Sequence, residues 1–317
     1  MIHFAANRAC RRAMQCAALV IALAGVPAVA AGPLRAESRG QAFWLALAKD
    51  CVVPAGESAF ALIDEVVALL GSPDPVWRDD IGYAVVASCV YRSRLLTPVE
   101  RRALVTTLAT SLRAGIGETG TDSVLLRSFS ALDLSLFAAL ELQDPALDDA
   151  GYRRLLDAAL AYLRDERDLR GIDPRVGWIH ATAHTADLLK FLARDSRFTP
   201  ADRARLLDAA WVRMTTPGTP VFTHAEDERL AAALLSVTRR SDFDPASLDP
   251  WLARFVALEK SVWQQSPPEA TALDAAQNAR NLLRSLHLLL SMPQPDPTPG
   301  QLAAREKVLV ILQQVRR

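Results

Sequence analysis

The sequence is poor in the residues that build β-structure. Aromatic residues make up 6% of its 317 positions, and only 14 are glycine. No segment alternates β-branched and polar residues as a half-buried strand does, which excludes a sandwich or a barrel. Net charge is also missing. Basic and acidic residues number 36 each, so the chain lacks the basic excess of a nucleic-acid-binding protein. Cysteine is scarce, four in all, and no histidine cluster lies near any of them in sequence. No low-complexity linker divides the chain. One domain over 31–317 is therefore expected, with a flexible start at 31–39.

What is present begins with an N-terminal segment of a different character. Arg8, Arg11 and Arg12 form a positive region with no acidic residue near, and an apolar run follows from Cys16 to Val26. Ala28-Val29-Ala30 then supplies the small-residue pattern of a signal-peptidase site. The apolar run is short for a bilayer span, so residues 1–30 read as a cleaved secretory signal. The expected location is periplasmic or secreted, with no stable membrane span after cleavage. Cleavage removes three bases and no acid, leaving a mildly acidic remainder. Cys51 and Cys89 stay behind, as an even pair in an oxidising compartment. They allow either a disulfide or two buried thiols.

The rest is rich in alanine and leucine, which favours helices. Asp74-Pro75, Thr97-Pro98, Thr199-Pro200, Ser266-Pro267 and Thr298-Pro299 each set a capping side chain before a proline. The cap oxygen satisfies an orphan N–H, and proline at the first helical position has none to satisfy. Twelve helices are expected, at about 38–50, 56–71, 75–93, 98–114, 122–142, 148–165, 175–194, 200–213, 226–240, 247–263, 269–291 and 299–315. Short connections make neighbours antiparallel. The fold class is all-α, a HEAT-like or α-α helical repeat.

Polar residues interrupt this pattern in a few places. The densest runs from Glu166 to Lys190. Within it, His180, His184 and Asp187 fall four and three residues apart, so one helical face carries all three. The helix is otherwise apolar and therefore buried, and buried polar groups need partners. Three chemistries fit: a divalent metal on His180 and His184, acid–base work with Asp187 orienting a histidine, or an internal network or ligand-lined pocket. Gly171 is expected to open a turn. Further bursts stand at Arg78-Asp79-Asp80, at Gly117–Ser128 and at His224–Arg229, where His224 and Glu226 could extend a metal site. Asp122 reads as a plain helix cap. All the bursts sit at helix starts, so a stack of helix pairs could bring them onto one surface.

The strings GETGTDSVLLRSFSAL (117–132), DLRGIDPRVGWIHATAHTADLL (168–189) and HAEDERLAAAL (224–234) resemble the bacterial family known as domain of unknown function 2785. Leu125-Leu126 stands where that family usually has an aromatic, and Thr185 where glycine is common. The resemblance brings no established activity. It implies an all-helical fold and a site at Arg127, Arg170, Trp178, His180, His184, Asp187, Glu226, Asp227 and Arg229. The expectation is an exported binding or scaffold module taking a small ligand or peptide. A metal-assisted or histidine-dependent hydrolase is the alternative.

Overall fold

The structure is a computed structural model that describes residues 35–293 and 296–315. The expected signal at 1–30 lies outside the described residues. The described residues form one compact unit. It is all-helical apart from one small hairpin. The helices are α1 (Arg35–Ser38), α2 (Gln41–Asp50), α3 (Ala59–Val67), α4 (Ala84–Val86), α5 (Pro98–Ser111), α6 (Ser123–Glu141), α7 (Asp149–Asp165), α8 (Ala181–Leu192), α9 (Pro200–Thr215), α10 (Glu226–Thr238), α11 (Asp249–Trp263), α12 (Ala270–Ser291) and α13 (Pro299–Gln314).

The capping signals set most of the boundaries. Thr97, Thr199 and Thr298 cap as expected, and each forms a capping box, with Glu100, Asp202 and Gln301. Ser266-Pro267 departs from the expectation. Helix α12 begins only at Ala270, after an N-cap Glu269 with no capping side chain. A residue that precedes proline is pushed out of the helical region, and Ser266-Pro267-Pro268 holds two of them in a row. Asp122 is the N-cap of α6, but its side chain does not cap. Arg175 takes the carboxylate instead, through two hydrogen bonds of 2.9 and 2.5 Å.

Two differences bear on the site, and two further features fix the N-terminal part. The stretch expected as one helix at 75–93 winds in π geometry over Val76–Tyr83 and Ala87–Arg92, on either side of α4. π turns recur at functional sites. The helix expected at 175–194 begins only at Ala181. The residues before it form an antiparallel hairpin of β1 (Ile172–Asp173) and β2 (Gly177–Trp178), with Ile172 opposite Trp178. Residues 35–39, expected to be flexible, are tied down: Trp44 Nε1 donates to Ala36 O at 2.6 Å, and Arg39 pairs with Glu57 and Glu65. Cys51 and Cys89 are bonded, with their Cα atoms 5.3 Å apart.

The helices stack in two layers. α6, α8, α10 and α12 lie side by side in one, and α5, α7 and α9 pack behind them. Helices of a layer run the same way, so the starts of α6, α8 and α10 come to the same end. α6 is the one helix among the described residues long and apolar enough to cross a membrane, yet it is mostly buried within the fold. Its apolar character is that of a central core helix.

One buried charge in α6 is costly. Asp133 is fully buried and neither carboxylate oxygen has a hydrogen-bond partner in the protein. Burial pushes its carboxyl well above the usual carboxylate range. The unfolded chain releases this proton near pH 3.9. The folded chain therefore holds more protons above that pH, and stability falls as pH rises. Asp133→Asn is expected to be more stable than the parent at pH 8, with a smaller difference at pH 4. Urea titrations at the two pH values measure it, and equal differences would remove the assignment.

Candidate functional site

The site is assembled from three helix starts and the π-wound stretch. α8 and α10 both begin after a non-glycine residue in the left-handed region, His180 (φ 54°) and Ala225 (φ 66°). L-residues adopt this conformation at a cost of about 1 kcal/mol or more, and such residues gather at functional sites. Neither helix has a capping side chain. His180 is the N-cap of α8: its carbonyl accepts from the His184 amide at 3.0 Å, while its own φ lies outside the helical region. The backbone turn at its own Cα aims its ring, and the hairpin holds that turn: the Ile179 and His180 amides both donate to Gly171 O, at 2.9 and 3.2 Å.

A cleft of about 760 Å³ opens here. Trp178, His180 and His184 form one wall, and Thr223, His224, Ala225, Glu228 and Arg229 another. Asp79 and Tyr83 from the π-wound stretch, with Phe129 and Leu132 of α6, complete it. Its aromatic contacts are continuous. The Trp178 ring stacks on His180 at 4.9 Å, His224 stands perpendicular to both, and His180 meets His184 edge to face at 5.7 Å. Phe129 packs edge to face with His184 at 5.0 Å and carries the Arg78 guanidinium over its ring at 4.7 Å. Arg78 itself is fully buried. It donates to Val176 O at 2.8 Å and to Asp79 at 2.8 and 3.2 Å. It thereby ties the π stretch to the hairpin.

The hydrogen bonds fix the histidine tautomers. Ser128 Oγ donates its single proton to Ile179 O. It can therefore only accept from His184 Nδ1, 2.9 Å away, so Nδ1 carries the proton. Nε2 of His184 is left as a lone pair with no partner in the protein. The side chain is 8% exposed and that small exposure lies on the cleft. Burial first, and then the neighbouring His180, Arg229 and Arg78, hold its pKa down to about 3. His184 is therefore neutral at ordinary pH. His180 is different: its Nε2 donates to His224 O at 2.6 Å and stands 3.8 Å from Glu226 Oε1. Burial lowers its pKa as well. Burial raises the Asp79 carboxyl, against the pull of Arg78.

The residues named from the sequence divide into three groups. Trp178, His180, His184 and Arg229 line the cleft. Asp187 and Glu226 stand behind it. Asp187 holds Arg229 at 2.5 Å and Lys190 at 2.8 Å, while Glu226 accepts from the His224 amide at 2.8 Å. Arg127, Arg170 and Asp227 are elsewhere. Arg127 is buried against Glu166, Ala114 O and Gly115 O. Arg170 is spent on Asp168, Asp173 and Thr121 O, and Asp227 accepts from Ser285 at 2.6 Å. The Gly-rich loop is engaged as well: Gly120 N donates to the chain's own Asp168 at 2.9 Å. For a metal, the described residues offer no group of three or more histidine, cysteine, aspartate or glutamate side chains placed to hold one. His180 also commits Nε2 to a carbonyl.

Tyr83, Phe129 and Leu132 escaped the sequence reading because each looks like an ordinary core residue. Ser128 gave no sign of orienting His184 across 56 positions. Asp79 and His224 were visible as polar bursts. Gly171 has a role other than the expected turn. A Cβ there would meet His224 Nδ1 at 2.4 Å and Cγ at 2.7 Å, so glycine is needed for the close approach of that ring. Gly171→Ala is expected to cost about 1–3 kcal/mol and to move the His224 imidazole resonances. Unchanged His224 signals in a variant of wild-type stability would refute this.

The fold and cleft define an all-α protein of stacked helices with a histidine- and aromatic-lined cleft at one end of a helix layer. A family model described as a protein of unknown function, DUF2785, matches residues 112–288, and the chain belongs to that family. The matched span holds every cleft residue except Asp79 and Tyr83. No curated protein and no solved structure matches the chain.

Proposed function

We propose that this is an exported binding module whose cleft takes a small polar ligand. The observation that carries the reading is the unpartnered Nε2 of His184. Ser128 and Ile179 engage the ring through Nδ1 and His184 lines the cleft, so the Nε2 lone pair is the one left to accept there. A ligand hydrogen-bond donor completes it. The cleft volume suits a small molecule, and the walls mix aromatic faces with a few polar groups.

Binding is favoured over base catalysis by the same histidine. A pKa near 3 leaves a weak base at neutral pH, where a general base works best with a pKa close to the ambient value. Ser128 gives its proton to a carbonyl, so it is not poised as a nucleophile. Export is supported by the N-terminal signal pattern and by the Cys51–Cys89 bond, which suits an oxidising compartment.

Two measurements test the proposal. Sugars, amino acids, dipeptides and nucleosides are added to the purified protein in a thermal-shift series. At least one class should raise the melting temperature of the parent and not of His184→Gln. A flat response to all four classes removes the binding reading. Protein recovered from the cell envelope should begin at Ala31, and an intact N-terminus there removes the cleaved-signal reading.

A further inference from the structure

The geometry points to a neutral saccharide as the ligand, with a pyranose ring laid on Trp178 and a hydroxyl donated to His184 Nε2. This deepens the binding-module reading and rests on it.

The platform is the first observation. Trp178 is 45% exposed although it lines the cleft. One face of its indole is covered by His180 at 4.9 Å. His224, 5.8 Å from Trp178, does not cover the other. A ring centred on the opposite face would stand farther from His180 than the 6.5 Å observed. His224 therefore lies beside the stacked pair, and one indole face stays open. An open, rigid aromatic face with a polar rim binds a flat partner that is apolar on its face and polar at its edge. The C–H face of a pyranose, ringed by hydroxyls, has that character.

Charge narrows the class. His184 Nε2 accepts and cannot donate, so the ligand must bring a donor. That donor is not a cation: Arg229 and Arg78 both oppose positive charge at His184. Nor is the ligand an anion. Glu228 presents a carboxylate to the cleft, Asp79 lines it with its carboxylate paired to Arg78, and the lining cation, Arg229, is already paired with Asp187. A neutral hydroxyl-bearing molecule meets all these conditions. Carboxylates and a lone-pair imidazole accept hydroxyl protons, and the Arg229 guanidinium donates to a hydroxyl or ring oxygen. A site built this way disfavours analogues that lack the hydroxyl, because the Nε2 acceptor then has no donor from the ligand.

The test is isothermal titration of the purified full chain with maltose, cellobiose, lactose and N,N′-diacetylchitobiose. Choline, glutamate and dialanine serve as the charged and peptide comparisons. At least one sugar should bind saturably. Trp178→Ala should weaken it about 10-fold or more, Trp178→Phe should recover part of the loss, and His184→Gln should weaken it independently. Melting curves check that each variant is folded. Arg284→Ala, on α12 and not among the residues that line the cleft, should bind as the parent does. Sugar binding unchanged in Trp178→Ala overturns the proposal. So does a cleft that takes choline, glutamate or dialanine in a His184-dependent way and no sugar, although the binding-module reading then survives. If no probe binds, the saccharide proposal falls, and the thermal-shift series decides the binding-module reading separately.

Discussion

Glu166→Ala is expected to destabilise the protein by about 3–5 kcal/mol, among the largest losses available from one substitution. Glu166 and Arg127 form a bidentate pair of 2.6 and 3.1 Å, and both side chains are buried. Forming such a pair gains little net stability, because both ions give up water. Removing one partner is a different matter, since it strands the other charge. Arg127 would keep its bonds to Ala114 O, Gly115 O and Ser123 but lose its counter-charge. Glu166 also accepts from the Arg167 and Asp168 amides at 2.8 and 2.9 Å, so the segment that leads into the hairpin loses its anchor too. The double variant Arg127→Met/Glu166→Leu should recover much of the loss, because the apolar pair strands no charge. Urea unfolding of the parent, the single variant and the double variant decides the matter. A single variant within 1 kcal/mol of the parent would contradict the buried-pair account.

His184 gives the second large effect, as acid lability. In the unfolded chain its imidazole takes a proton near pH 6.5, whereas in the folded chain it does so only near pH 3. Between those values the unfolded state binds more protons, so stability is full above about pH 6.5 and is lost as pH falls. The slope for one such group is about 1.4 kcal/mol per pH unit. From pH 7.5 to 4.5 the parent should therefore lose about 2–3 kcal/mol more than His184→Gln. His180, which burial also lowers, adds a share that the variant keeps. The comparison of the two proteins isolates His184 from the carboxylates, which titrate alike in both. Parallel stability curves would show that His184 protonates freely in the folded state.

The two effects concern the same few elements. Arg127 and Glu166 fix the end of α7 and the loop before α6. Arg213 supports the same corner, donating to Leu163 O at 2.7 Å and to Glu166 O at 2.9 Å. From this corner the chain runs through Asp168 and Arg170 to Gly171, whose carbonyl holds Ile179 and His180. Glu166, Asp168, Arg170 and Asp173 are thus engaged rather than solvated. They are the bracket that aims His180.

Much of the fold was legible without coordinates, because helix boundaries depend on local chemistry. Threonine before proline, with a carboxylate or amide three residues on, caps a helix whatever surrounds it. The boxes at Thr97, Thr199 and Thr298 show this. The boundary expected at 175 and placed at 181 was not legible. Helical periodicity through Trp178 and Ile179 reads the same whether or not a hairpin precedes it, and the hairpin closes on contacts with distant residues such as Arg78, which bonds Val176 O. The site divides along the same line. His180, His184, Trp178 and the burst at 224–229 stood out, since polar residues in an apolar helix need partners. Which partner each would find was a long-range matter. Arg127, Arg170 and Asp227 carry the same chemistry as Arg229 and Glu228, yet they are spent on structure.

The sequence by itself determined the helical class, the family and the positions of polar residues that had to be satisfied. Only the tertiary structure decided that Ser128 orders the His184 tautomer, that Gly171 admits His224, and that Tyr83 and Phe129 leave the core pattern to line a cleft. The reason is physical. Capping and periodicity act within a turn or two of the chain, whereas a tautomer, a close approach and a cavity wall depend on atoms that only folding brings together.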